Sequence, residues 1–262
     1  MLLKTAYEMK PPVSARINHG HPLVSGLVGW WSLNENSGGK IFDSSGYGRN
    51  GVAVGTTSEI TWQSVAVGTV VNFRGDQMAA FQFSSINFTD SDSWTIIVRC
   101  QTDEDVNEGI LLGTYDALND WIWFIEGTGI RFMNSAGAGT NFISVTKFGA
   151  WATYAFVAKG DGELHLYVNG IFSQTRPIAT SFIIDSIGCA LNSHTYAFDG
   201  RVGYCGVYNR ALSASEIALH DMKPYGMFGR RGMLQLGYVA IAALSKTQDT
   251  ADPRLKTQDS SK

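Results

Sequence analysis

The chain is short of charge, short of cysteine and almost without helical periodicity, and each shortage excludes something. Only 16% of its 262 residues are Asp, Glu, Lys or Arg, and the formal net charge is −3. Nucleic acid is held by clustered cations, and the one basic run here is Arg230-Arg231, so no nucleic-acid partner is expected. Three cysteines, Cys100, Cys189 and Cys205, are an odd count without regular spacing. They read as buried, inert thiols in apolar strand patterns, neither a disulfide framework nor a zinc set. The apolar runs stay well below the roughly 20 residues that a helix needs to cross a bilayer, so no membrane span is expected. The opening residues also lack the apolar core of a secretory signal; the expectation is a chain that folds in its host's cytoplasm.

Familiar catalytic signatures are equally scarce. There is no G-x-S-x-G nucleophile elbow. Gly46-Tyr-Gly-Arg-Asn-Gly51 spells G-x-G-x-x-G, but a dinucleotide site needs a helix next, and Val52 to Thr56 is strand-like. His19-Gly-His21 lies in an extended segment and offers at most opportunistic metal chelation; polar surface is the favoured reading. The acidic run Asp103-Glu-Asp-Val-Asn-Glu108 is the one candidate for a paired-carboxylate glycosidase, which needs its two carboxyls on one sugar bond. It follows the strand pattern Trp94–Gln101 and reads better as a solvated loop. No enzyme is expected.

What is present is a large apolar fraction (44%) and 29 glycines, the composition of many short strands joined by tight turns. Gly160-Asp-Gly162 is a turn signal, and Asn169-Gly170 is a second. Between them Leu164, Leu166 and Val168 alternate with His165, Tyr167 and Asn169. From Val202 to Val207 another period-2 strand puts Val202, Tyr204 and Gly206 opposite Gly203, Cys205 and Val207. Asn209-Arg210 turns the chain. Ser213 and Glu216 then form a capping box that opens one short helix, from Ala214 to about His220.

The stretch from Phe198 to Ile217 resembles the last strand and helix of the laminin-G-like, concanavalin-A-like jelly rolls. The segments Trp31–Gly51 and Trp151–Gly170 resemble that family's opening strand with its loop and its central hairpin. The resemblance implies an all-β fold, a two-sheet antiparallel jelly-roll sandwich with one short C-terminal helix and flanking arms. The expected organisation is an extended arm over 1–22, the sandwich over 23–222, and an extension over 223–262 with an apolar segment at 233–244 and a polar end.

Calcium is held near the rim in many of the family's members. The resemblance therefore nominates Asp43 and Asn50 as oxygen donors, with Asp43 pinning its own loop as the competing role. Gly203 and Tyr204 replace two acids of the family pattern, which puts retention of calcium in doubt. Most of the seven tryptophans read as core. Trp62, in the least patterned surroundings, is the one nominated for ligand binding. The lead-in Pro12–Trp30 resembles that of laminin-G-like proteins encoded by tailed bacteriophages, which implies a non-enzymatic virion protein. In that role a decoration or surface protein displays a lectin-like sandwich and is attached through its arms to capsid proteins or to neighbouring copies as a homo-oligomer. Met233, Leu234, Leu236, Tyr238, Val239, Ile241 and Leu244 are the residues nominated for that attachment, although the segment could equally pack back on its own domain. A carbohydrate-binding module recognising a cell-surface glycan is the alternative, and a glycoside hydrolase the least favoured.

Overall fold

The computed structural model describes residues 9–229 apart from 76–77, 104–107, 116–119, 126–128, 135–138, 143–148 and 189–196; of Glu108 and Asn141 it describes the backbone. Among the described residues the strands run β1 (Leu27–Trp31), β2 (Lys40–Ile41), β3 (Gly51–Gly55), β4 (Ile60–Val65), β5 (Gly68–Phe73) and β6 (Ala79–Phe88). Then come β7 (Ser93–Thr102), β8 (Glu108–Gly113), β9 (Trp121–Ile125), β10 (Gly129–Met133) and β11 (Gly139–Phe142). The last are β12 (Ala152–Lys159), β13 (Glu163–Val168), β14 (Ile171–Pro177), β15 (Phe182–Ile187) and β16 (Gly200–Tyr208), followed by helix α1 (Ala214–Met222). They form two antiparallel sheets packed as a jelly-roll sandwich. One is ordered β14-β13-β12-β7-β16-β5-β4, with β1 also paired to β16; the other is ordered β11-β10-β9-β8-β15-β6-β3-β2.

Strand alternation builds the space between the sheets. From β7, Trp94, Ile96, Val98 and Cys100 point inward, and from β12, Tyr154, Phe156 and Ala158 do the same. Phe81, Phe124 and Phe182 answer from the second sheet. Cys100 and Cys205 are free and buried, and burial pushes both thiols far above their ordinary range. Cys189 lies outside the described residues. The expected hairpin is present: Asn169 (φ 49°) and Gly170 (φ 78°) join β13 to β14 with the two positive φ values of a type I′ turn.

The expected alternation in β16 is broken. Val202 pairs with Cys100, but Tyr204 pairs with Arg99, so Gly203 is an extra residue in a bulge. The bulge shifts the phase of the strand. Val202, Cys205 and Val207 all face the sandwich, while Tyr204 and Tyr208 face the opposite side. β16 is thus buried along nearly its whole length.

A second apolar layer covers that opposite side. Trp30, Ile97, Val157, Tyr204 and Tyr208 are roofed by Leu212, Ile217, Met227 and Phe228. Burying each such side chain contributes about 1.5–3 kcal/mol. Ile17 bridges to Phe228, and the Lys10 N–H donates to the Val67 carbonyl at 2.8 Å. The packed unit therefore takes in residues on both sides of the 23–222 stretch. Helix α1 carries the expected capping box: Ser213 Oγ accepts from the Glu216 N–H, and the Glu216 carboxylate accepts from the Ser213 N–H at 2.9 Å. The same carboxylate takes a two-pronged contact from Arg210, at 2.7 and 3.0 Å, which fixes the turn into the helix.

Two pH effects follow. His220 is fully buried among Trp30, Tyr204 and Tyr208, and burial pushes its imidazole down to about 3. The unfolded chain protonates His220 near 6.5 and the folded one does not, so this site loses about 2 kcal/mol of stability between pH 7 and pH 5. Urea titrations should show that loss shrinking in His220→Leu. Glu216 shifts the other way: its hydrogen bonds from Arg210 lower its carboxyl to about 2, against a weaker burial effect. Its contribution is present above about pH 4.5 and is lost as pH falls through about 2. With about a quarter of each partner's side chain exposed, Glu216→Gln should cost about 1–2 kcal/mol at pH 7. Denaturation at pH 2–3 should show the gap between the two proteins closing.

Candidate functional site

Asp43 acts on its own loop. Its Oδ1 accepts from the N–H groups of Trp30 and Ser45 at 3.0 and 2.8 Å, and its Oδ2 from Ser45 Oγ and the Arg49 N–H at 2.8 and 3.0 Å. Asn50 Oδ1 accepts from the Asp43 N–H at 3.0 Å. Calcium takes six to eight oxygens. Here the two nominated side chains are committed to backbone donors, and the positions of the family's further acids hold Gly203 and Tyr204, the latter on the covered face. This donor set does not fit calcium.

The other nominated residues lie apart from one another. Trp62 is half-buried, packs near Phe81 and donates from Nε1 to the Gly38 carbonyl at 2.9 Å. His19 is exposed; His21 Nδ1 accepts from the Leu23 N–H at 3.2 Å, which caps a short 3-10 turn. Asp103 directly follows β7 of the first sheet, and Glu108 begins β8 of the second. They are thus not alternate residues of one strand, the arrangement a β-glucanase-like carboxylate pair would need. Met233, Leu234, Leu236, Tyr238, Val239, Ile241 and Leu244 lie outside the described residues.

Where the cover over the first sheet stops, a cavity of about 550 Å³ opens, within the range of roughly 300–1,000 Å³ usual for ligand sites. Gly203 and Arg99 form its floor; Trp151, the β4–β5 turn and the end of α1 with Asp221 form its walls. Each position has a local cause. The period of β7 points Arg99 outward, between Ile97 and Gln101. The bulge leaves Gly203 without a side chain where a Cβ would sit 3.4 Å from the Trp151 ring. The Arg99 guanidinium lies 5.7 Å from that ring's centre, and its Nη1 donates to Thr153 Oγ1 at 3.0 Å. Lys10 reaches in from the N-terminal segment, and its Nζ donates to the carbonyls of Ser32 and Leu33 at 2.7 and 2.9 Å. Burial pushes that ammonium down to about 7, with Glu35 opposing the shift. Arg99, Lys10 and Asp221 are the basic and acidic side chains that line the cavity.

A flat aromatic wall, a multivalent donor and a carboxylate acceptor suit a polar, hydroxyl-rich ligand. Neither Trp151 nor Arg99 is among the residues that the sequence nominates. The signal available was a lone arginine in the otherwise apolar run Trp94–Cys100, beside a strand whose family acid is replaced by glycine.

A comparison with curated protein sequences gives no match. Among solved structures, the binding domain of Paraclostridial Mosquitocidal Protein 1 superposes with a TM-score of 0.58 at 17% identity, over 76% of this chain and 52% of that one. The chain thus spans about half the length of that binding domain. Domain 4 of AbnA, an extracellular arabinanase of Geobacillus stearothermophilus, solved in complex with arabinotriose, gives 0.57 at 16% identity over 76% of this chain and 98% of that domain. Trypanosoma rangeli sialidase, in complex with sialic acid, gives 0.55 at 16% identity over 78% and 34%. At these identities the likeness concerns the fold. A family model described as the concanavalin A-like lectin/glucanases superfamily matches residues 73–218, more than half of the sequence and most of the sandwich, and the chain belongs to that superfamily as a laminin-G-type member.

Proposed function

We propose that this chain is a non-catalytic, lectin-like binding domain that takes a glycan, free or on a receptor, in the cavity between Arg99, Trp151 and Asp221. The observation that carries this reading is the cavity itself, which sets an aromatic face and two opposite charges around a floor cleared by Gly203. In such a site Trp151 stacks on the apolar face of a sugar ring. Arg99, already held by Thr153, donates to ring substituents, and Asp221 accepts from hydroxyls. Asp103, just after β7, and Glu108, at the start of β8 in the other sheet, do not share a strand, which favours binding over hydrolysis. The toxin binding domain and the arabinotriose-bound domain are compatible precedents for the fold.

The further reading is that the domain is displayed on a virus particle. Its support is the phage-like lead-in Pro12–Trp30 and the apolar character of the segment 233–244. In that reading residues 233–244 engage a capsid protein or a neighbouring copy.

Two experiments test these readings. On a broad glycan array, the full chain should bind a restricted set of glycans, and Trp151→Ala and Arg99→Ala should each weaken binding by about 1–3 kcal/mol, roughly tenfold or more, with an unchanged circular-dichroism spectrum. Full-strength binding by both variants would remove the cavity from the reading. Deleting residues 230–262 should leave thermal unfolding essentially unchanged while reducing the oligomer measured by light scattering to a monomer. A deletion that keeps the oligomer would count against attachment through this segment.

A further inference from the structure

At the far edge of the first sheet, the β12–β13 hairpin gathers a second polar group, distinct from the cavity. Asp161 lies in the turn, and Glu163 and His165 follow two residues apart on the same face of β13. One ligand-type atom from each of the three lies within 4.8 Å of the others. The imidazole is the ordered member. Cross-strand pairing sets His165 opposite Thr175, and Thr175 Oγ1 lies 2.9 Å from Nδ1. Nε2, on the other side of the ring, is shielded from solvent and has no hydrogen-bond partner. Glu163 Oε2 faces it at 3.6 Å, and the His165 side chain is only 12% exposed. That separation is too long for a hydrogen bond.

We propose that Asp161, Glu163 and His165 form a surface site for a divalent transition-metal ion of the zinc type, with water completing its shell. One imidazole and two carboxylates are donors such an ion accepts, at roughly 2.0–2.2 Å. Ligands at those distances in a tetrahedral shell stand roughly 3.3 Å apart, so the group needs only a modest contraction. Glu163, half exposed, can swing to make it, while the exposed Asp161, whose Oδ1 accepts the Glu163 N–H at 3.1 Å, would offer its other oxygen. With Nδ1–H donating to Thr175, Nε2 turns its lone pair toward the two carboxylates. A ligating histidine is usually held in this way through its other nitrogen. Thr175 is then a positioning residue. A hard ion such as calcium, which wants six or more oxygens, is poorly served by three ligands of which one is nitrogen. The bound ion would tie the turn to β13.

Isothermal titration of the full chain with zinc chloride, with calcium and magnesium chlorides run alongside, tests the site. The expected result is one zinc ion per chain that depends on this group. Glu163→Gln and His165→Gln should each weaken binding at least tenfold, and the two group-II ions should show no comparable binding. Thr175→Val should weaken zinc about tenfold and Thr175→Ser should restore it, which loss of packing alone would not produce. A His19→Gln/His21→Gln double variant should keep full affinity. The proposal fails if the intact chain takes up no zinc, if Glu163→Gln binds as the parent does, or if binding disappears only in the double variant. Glu163 is exposed enough that its variant should fold even where His165→Gln does not.

Discussion

The central strand β16 cannot face water on either side, and the rest of the molecule is arranged around that constraint. Its neighbour β7, and β12 on the far side of β7, are similarly apolar above and below: Ile96 and Phe156 point into the sandwich, Ile97 and Val157 away from it. An antiparallel sheet commonly leaves one face to solvent. This one carries enough apolar surface on its outer face to require a lid of its own. Helix α1 supplies part of that lid, fixed by Arg210 and the capping box. The segment around Met227 and Phe228 supplies more, and Ile17 clamps it from the N-terminal side. Ile17 and the Met227-Phe228 segment, from either side of the sandwich in sequence, thus share one cover.

That lid ends where the outer face turns polar, and the cavity is the consequence. Arg99 occupies an outward position of β7 that, one period earlier, belongs to Ile97. A guanidinium is costly to bury unpaired, so the cover cannot close over it as it does over the aliphatic residues. The bulge adds the second condition by placing a glycine beside it. A single residue thus rephases β16, so that Val202 and Cys205 both reach the core, and also clears the floor of the cavity. The departures from the family pattern at Gly203 and Tyr204 are in this sense coupled. The tyrosine fills the covered face, stacked 5.1 Å from Trp30, and the glycine opens the space beside it.

How much of this was legible in the sequence depends on how local each cause is. The capping box of Ser213 and Glu216, the Asn169-Gly170 turn and the alternation of β13 are short-range patterns, and each is found where it was expected. Strict period-2 reading failed in β16, because a bulge is one residue out of step and leaves no compositional mark beyond a glycine, which also suits an ordinary tight strand. The roles of Lys10, Ile17 and Trp151 depend on partners far away in sequence, such as Leu33, Phe228 and Arg99. The prolines and missing periodicity of residues 1–22 put the first two in an extended arm, and nothing local distinguishes the third from the other tryptophans. Asp43 shows the opposite case: its loop was recognised, and of its two weighed roles the four hydrogen bonds it accepts fit the loop pin.

The two polar groups of this sheet differ in what would make each of them specific. In the cavity, read as a glycan site, selectivity would come from shape and from the placing of Arg99 and Asp221, because the lining belongs to several segments far apart in sequence. A ligand that stacks on Trp151 but cannot satisfy both charges leaves one of them desolvated and unpaired, a penalty of about 1–3 kcal/mol or more. Such a site rejects ligands more strongly than it attracts them. At the β12–β13 hairpin the three ligands come from five consecutive residues, so their spacing is set by one turn and one strand pleat. Selection there would rest on donor chemistry, one nitrogen held by Thr175 and two exposed carboxylates. The two groups have no residue in common, but they differ in their tie to the lid: the cavity takes Asp221 from helix α1 and borders Tyr204 and Tyr225 of the covered layer, whereas the hairpin group lies outside it.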